Sequence, residues 1–204
     1  GSTSLSGSDI DGDDLTYNIS GGSDIIATLD GNTVSFSAPT NYNGSEEFTV
    51  SVSDDEYTDS QTITVTVIAV NDAPVATNGL LGSTNEDQSV VISLTGSDID
   101  GDNLSFSLDV DAANGSVTID GALATYAPSS DFYGDDTFIF NVSDGEYTSS
   151  ASVSVSVFAV NDTPVLATVS DVSFDEDDSG STSLSGSDID GDDLTYNISG
   201  GSDI

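Results

Sequence analysis

Lysine, arginine and histidine are all missing from the 204 residues, against 37 aspartates and glutamates, and the formal charge is −37. Each absence closes a class of function. Without Lys and Arg there is nothing to neutralise phosphates, so nucleic acid is excluded as a partner, and anionic membrane surfaces are disfavoured. Neither a Schiff base nor a Lys–Asn isopeptide crosslink can form. Lack of His removes the usual general base and zinc ligand, and a Ser nucleophile would have no base to activate it. Cysteine is absent too, so disulfide staples and thiolate metal sites are out. There is no Trp to build an aromatic platform for sugars, and no Met. No apolar run approaches the roughly 18 residues of a membrane span, and no signal peptide stands at the start. The ends fall inside repeats, which reads as an internal stretch of a longer repetitive protein.

What the chain does have is Ser-Asp-Ile-Asp-Gly-Asp, three times over, at Ser8–Asp13, Ser97–Asp102 and Ser187–Asp192. Three carboxylates at alternate positions repel one another, and no basic residue is available to pair them. A glycine at Gly12, Gly101 or Gly191 lets each loop fold back. Oxygen-only ligation of this kind suits Ca²⁺, which takes six to eight oxygens. The loop is not an EF-hand. Its Gly comes fourth rather than sixth, and Ser20 stands where the twelfth-position Glu would be.

Residues 1–25 recur unchanged as residues 180–204. A second, diverged repeat lies inside that unit at a spacing of about 90 residues. Ser6–Ile19 answers Thr95–Leu108, Ser37–Ser60 answers Tyr126–Ser150, and Val70–Val75 answers Val160–Val165. The expected domains are therefore 1–74, lacking its leading strand, a complete 75–164, and 165–204 as the start of a third. Phe174–Gly180 supplies in the repeat the strand that the first domain lacks.

Val, Ile, Thr, Phe and Tyr alternate with polar residues, as in Ile63, Val65, Val67 and in Val153, Val155, Val157. The pattern predicts half-buried antiparallel strands, with turns such as Asp30-Gly31-Asn32, Asn114-Gly115 and Asp144-Gly145. Leu, Ile, Val and Phe make up about a quarter of the chain, above the level of a disordered polymer. Seven strands are predicted in the middle domain, near Ser83–Asp87, Val90–Thr95, Asn103–Val110, Gly115–Ile119, Ala122–Tyr126, Thr137–Ser143 and Thr148–Val160. About seven short strands in such a length point to an immunoglobulin-like sandwich. Its core would draw on Leu104, Phe106, Tyr126, Phe138, Phe140, Val142 and the Val153 row.

With these residues the chain resembles the bacterial cadherin-like tandem repeat family. The shared pattern stands here as Asn85-Glu86-Asp87, Asp98–Leu104, Tyr126-Ala127-Pro128, Phe132–Phe138, Val142–Gly145 and Val160–Pro164. The first domain departs from it, reading Asp54-Asp55-Glu56 where the pattern has Asp-Gly. The resemblance implies an all-β chain of Greek-key sandwiches arranged end to end, extracellular, with Ca²⁺ held where one domain meets the next. It adds Glu86, Asp144, Asn71 and Asp72 to Asp98, Asp100 and Asp102 as a first junction. A second junction would use Asn161, Asp162, Glu176, Asp188, Asp190 and Asp192. In the first domain Asp9, Asp11, Asp13, Asp54 and Glu56 remain.

The function expected from these features is structural. A calcium-stabilised repeat would form the rigid shaft of a bacterial adhesin or surface filament, its partners being neighbouring repeats and, in a filament, other copies. The alternative is a glycan-binding module, for which Tyr42 and Tyr133 are the aromatic candidates. Catalysis is not expected. Paired carboxylates run glycoside hydrolysis only with one raised-pKa acid in a cleft, and these acids lie in open loops.

Overall fold

Alternation of β-branched and polar side chains fits only pleated strands, and a computed structural model, which describes residues 1–200, contains no helix among them. The chain divides into two compact units. One comprises Gly1–Ala73 with Asp98–Asp102, the other Pro74–Ser97 with Asn103 onward.

The first unit holds β1 (Ser2–Ser4), β2 (Thr16–Gly21), β3 (Ile26–Asp30), β4 (Thr33–Ser37), β5 (Gly44–Ser53) and β6 (Thr58–Val67). These make two antiparallel three-stranded sheets, ordered β1-β4-β3 and β2-β5-β6. Ile25, Val34, Phe48 and Val50 are its buried apolar residues, and Phe36 meets Phe48 edge-on with centroids 5.3 Å apart.

The second unit contains β7 (Val75–Ala76), β8 (Leu80–Asn85), β9 (Val90–Ser93), β10 (Gly96–Ser97), β11 (Ser105–Val110), β12 (Gly115–Asp120), β13 (Leu123–Pro128), β14 (Gly134–Ser143) and β15 (Thr148–Phe158), followed by the short pair β16 (Val165–Leu166) and β17 (Gly186–Ser187). One sheet runs β11-β14-β15-β8 and the other β12-β13-β9. β9 pairs with β13 and β11 with β14, so successive strands change sheets in the Greek-key manner. Tyr126, Phe138, Phe140, Val142, Val153 and Val155 are wholly buried between the sheets, while Leu104 and Phe106 pack at the margin.

One pairing differs from the antiparallel expectation. β8 lies parallel to β15, from Leu80 opposite Val153 to Asn85 opposite Phe158. The leading strand thus joins the sheet of the last strand and points the same way. Its end, and Glu86 just beyond, arrives where β15 ends.

A carboxylate braces each sandwich at the same place in the repeat. Glu46 accepts the backbone N–H groups of Ser23 (2.9 Å), Asp24 (3.0 Å) and Ile25 (3.0 Å) and the Ser23 hydroxyl (2.7 Å). These donors, led by Asp24 N–H, hold its carboxyl down to about 2. Asp136, 6% exposed, accepts Ala113 N–H, Asn114 N–H and the Tyr126 hydroxyl, at 3.1, 2.8 and 3.0 Å. Burial, and then Asp136, pushes the Tyr126 phenol well above its ordinary value. These two acids sit inside the Phe/Tyr-x-Gly-x-Asp stretch, whose carboxylate the alternation marks only as one more inward position.

Two predictions follow from backbone and charge. Asp55 adopts φ 79° where its counterpart Gly145 has φ 104°, and left-handed backbone costs a side-chain-bearing residue about 1 kcal/mol or more. Asp55→Gly should therefore stabilise the first unit by about 1 kcal/mol, and Gly145→Ala destabilise the second by a similar amount, as read by denaturant midpoints. Glu46, with a folded value of about 2 against roughly 4.3 unfolded, contributes stability in full above the unfolded value. That contribution is lost as pH falls from there through the folded value. Glu46→Gln should flatten this acid limb in thermal midpoints measured across that window, and an unchanged limb would assign it to other carboxylates.

Candidate metal centre

The acidic loops fold back as glycine allows. Gly12, Gly101 and Gly191 have φ of 86°, 81° and 80°. In each, the first carboxylate turns inward onto the loop's own amides. Asp9 Oδ1 accepts Asp11 N–H (2.8 Å), Gly12 N–H (2.8 Å) and Asp13 N–H (3.2 Å). Asp98 Oδ1 accepts Asp100 N–H (2.9 Å) and Asp102 N–H (3.3 Å), and Asp188 Oδ1 accepts Asp190 N–H (3.0 Å) and Asp192 N–H (3.3 Å). The local bonds set the loop shape.

The linker closes onto the middle carboxylate. Asp72 N–H donates to Asp100 Oδ2 at 2.7 Å, and at the equivalent place Asp162 N–H donates to Asp190 Oδ2 at 2.6 Å. In the first unit this leaves Asp98, Asp100 and Asp102 with ligand oxygens within 4.8 Å of one another. Asp98 Oδ2 is buried without a hydrogen-bond partner. The Asp9 loop forms no such group among the described residues.

The second unit carries the fuller constellation. Glu86, Asp162 and Asp190 bring oxygens within 4.8 Å of one another, and Asp87, Asp131 and Asp162 do the same, so Asp162 belongs to both sets. Glu86 is 3% exposed and accepts the N–H of Val160, while Asp131 N–H donates to Asp87 Oδ1 at 3.3 Å. Asp162 Oδ2 is buried and has no partner. Burial pushes the Asp162 carboxyl up from its ordinary value, and Asp190, Asp131, Glu86 and Asp87 push in the same direction. With no cationic side chain in the sequence, the unmatched oxygen faces only further negative charge.

This grouping corrects the expected assignment of Glu86. It stands with Asp162 and Asp190, not in the set of the Asp98 loop, because β8 parallel to β15 delivers it to the end where the chain leaves the sandwich. Asp144 is at the opposite end of β15, in the turn after β14. There its Oδ1 accepts Glu146 N–H and Tyr147 N–H, both at 2.7 Å. Asp54 does the same for Glu56 (2.9 Å) and Tyr57 (2.6 Å), and these amides, Tyr57 first, lower its carboxyl. Asn161 hydrogen-bonds through its side chain to the Asp162 carbonyl at 2.9 Å. Asn71, the corresponding linker residue, is half-buried. Glu176 is exposed and outside all three groups.

Sequence reasoning missed Asp87 and Asp131. Both have positive φ, 59° and 57°, and a non-glycine residue held there is the signal that local turn chemistry carries. Of the two candidate aromatics, Tyr133 is 58% exposed. Tyr42 is half-buried, with its phenol pushed up by burial and by Glu46 and Asp24.

The chain matches the family described as Bacterial Ig domain over residues 1–66 and 71–156. A search of curated proteins gives no match. Among solved structures it is similar to human protocadherin-24 EC1-2, at 21% identity over 78% of this chain and 88% of that one, with a TM-score of 0.55. It is also similar to Drosophila N-cadherin EC1-4, at 14% identity over 92% of this chain and 53% of that one, with a TM-score of 0.54. Both likenesses are of fold. The endo-fucoidan hydrolase MfFcnA4 from glycoside hydrolase family 107 shares 23% identity over 74% of this chain at a TM-score of 0.37, and the match spans 24% of that protein. Such a score says nothing about activity. Two family matches in tandem, each containing strands of a two-sheet all-β unit, lead to one statement: the chain belongs to the bacterial Ig domain family.

Proposed function

We propose that this chain is a calcium-stabilised structural repeat, part of the rigid shaft of an extracellular bacterial adhesin or surface filament. The observation that carries the reading is Asp162 Oδ2, buried without a partner among Glu86, Asp87, Asp131 and Asp190. Two like charges about 4 Å apart near a protein surface repel by about 4 kcal/mol. A divalent cation reverses the sign of that interaction for every carboxylate around it.

The donor set fits Ca²⁺. All the side-chain donors are carboxylate oxygens, which suit a hard cation of high and flexible coordination. Glu86 and Asp87 come from the end of β8, Asp131 from the turn before β14, Asp162 from the linker and Asp190 from the following acidic loop. A cation held by this set would tie the sandwich's end to the linker and to the start of the next repeat. Its chemistry there is charge neutralisation and crosslinking. A protein whose purpose is length gains from such a tie at every repeat, since each unit must meet its neighbour in the same way.

Thermal unfolding of the full chain tests the reading. Saturation at about 100 times the dissociation constant should add about 2.7 kcal/mol per site. The midpoint should therefore rise markedly in Ca²⁺ over chelator, and by much less in Mg²⁺ at matched ionic strength. Equal midpoints in Ca²⁺ and chelator would falsify the calcium reading.

Asp162→Asn should change sign between the two conditions. A carboxyl raised in the folded state withholds stability as pH rises through its folded value. In chelator near neutral pH, removing that charge should therefore raise the midpoint. In Ca²⁺ the same substitution should abolish most of the cation-dependent rise. Destabilisation in both conditions would mean that Asp162 is a packing residue only.

A further inference from the structure

Asparagine is followed by glycine at Asn43-Gly44, Asn78-Gly79 and Asn114-Gly115. Such a pair can react with itself. The glycine backbone nitrogen reaches the asparagine Cγ by closing a five-membered ring, and no side chain on the glycine obstructs the approach. Closure requires the peptide plane between the two residues to turn until the nitrogen faces Cγ. That plane carries the asparagine C=O and the glycine N–H, so a hydrogen bond to either one holds it still. Backbone bonding therefore decides which pair reacts.

Asn114 is held on both sides. Its N–H donates to Asp136 Oδ2 and its C=O accepts Ser129 N–H, each at 2.8 Å. Gly115 opens β12 opposite Pro128, so close to the neighbouring strand that a Cβ on it would lie 2.6 Å from Ala127 O. Gly44 likewise opens β5, opposite Val67, and a Cβ there would lie 3.2 Å from the Tyr42 hydroxyl. Asn78-Gly79 differs from both. Thr77 N–H is anchored to Thr95 O at 3.0 Å, and Leu80 begins β8 opposite Val153. Between these anchors Asn78 and Gly79 are exposed and lie outside the strands. Among the described residues neither the Asn78 C=O nor the Gly79 N–H is hydrogen-bonded. Gly79 has φ 77°, and a Cβ on it would meet nothing within 4 Å.

We propose that Asn78-Gly79 is a self-modifying site, converting through a cyclic imide to aspartate and isoaspartate, while the fold protects the other two pairs. The Gly79 nitrogen gives up its proton and bonds to Asn78 Cγ. The bond from Cγ to Nδ2 then breaks, and the amide nitrogen leaves as ammonia. Water opens the imide at one of its two carbonyls. Attack at Cγ restores the ordinary main chain with aspartate at this position. Attack at the main-chain carbonyl leaves the chain running through Cγ, which is isoaspartate. Water is the only co-reactant, and no catalytic side chain takes part. Asp-Gly pairs such as Asp30-Gly31 and Asp120-Gly121 are poorer reactants, because an ionised carboxylate resists a nucleophile.

The site is particular to one half of the repeat. After the second linker, Ala167 N–H reaches Ser185 O at 2.8 Å, as Thr77 N–H reaches Thr95 O. The residues that follow there are Thr168 and Val169, which cannot cyclise in this way. Either product adds a carboxylate to a chain without cationic side chains. Isoaspartate also lengthens the main chain by one carbon between Thr77 and Leu80, at the entry to β8. Nothing in the chain reverses the change, so the converted fraction records the age of the molecule. The step needs no cation and is independent of the calcium reading.

Peptide mass mapping of the full folded chain, aged at neutral pH in heavy-oxygen water, tests the proposal. The chain must be cut with a protease specific for acidic residues, since it has no Lys or Arg. The fragment holding Asn78 should lose ammonia and take up one heavy oxygen at nearly the rate of a free peptide of residues 75–82. It should do so at least about tenfold faster than the fragments holding Asn43 or Asn114, the factor expected for restraint by about one backbone hydrogen bond. In denaturant the three rates should converge. Asn78→Gln, whose ring would need six members, should abolish uptake at that site and leave the thermal midpoint unchanged. Conversion of Asn78 no faster than that of Asn114 in the folded chain overturns the proposal. So does a ranking that survives in denaturant, because neighbouring sequence rather than the fold would then set it.

Discussion

Negative charge without a countercharge governs this molecule. With no cationic side chain, the fold meets its carboxylates with backbone N–H groups and a few hydroxyl and amide side chains, and it uses the backbone groups in a consistent pattern. Asp9, Asp98 and Asp188 each collect two or three amides of their own loop. Asp54 and Asp144 each hold a turn, and Glu46 and Asp136 gather amides from a neighbouring loop. Hydrogen bonds to an ionised acceptor are the strong kind, so acids that elsewhere would be a liability become the fasteners of loops and corners.

Among the described residues that supply runs out at two oxygens. Asp98 Oδ2 and Asp162 Oδ2 are withdrawn from solvent and receive nothing. The contrast with Glu46 is instructive. Glu46 has three amides and a hydroxyl, and its carboxyl is lowered, whereas Asp162 has four carboxylates around it and is raised. One kind of acid is satisfied by the chain itself, and the other is left without a donor. The two orphaned oxygens lie in the second acidic loop and in the linker after β15.

Much of the fold was legible because alternation and turn chemistry agree. The expected strands in the middle domain fall within a few residues of β8, β9 and β11 to β15, and Tyr126, Phe138 and Phe140 occupy the core as their inward phase requires. The direction of β8 was not legible, since periodicity fixes which face a residue takes but not which way its strand runs. The grouping of Glu86 with Asp162 and Asp190 follows from that direction. Asp87 and Asp131 were missed for a related reason: they are turn residues separated widely in sequence, and only the folded sandwich sets them beside Asp162. The acidic loops themselves were easy to find, because their charge and their glycine both appear within six residues.

The parallel pairing of β8 with β15 also decides how the second unit bears load. The chain enters along one of these strands and leaves along the other, and both point the same way. Tension applied through the two linkers then pulls the strands past each other lengthwise. The ladder from Leu80–Val153 to Asn85–Phe158 is loaded all at once, in shear, rather than opened one bond at a time from an end. A sandwich threaded in this way resists stretching most strongly along its own chain direction.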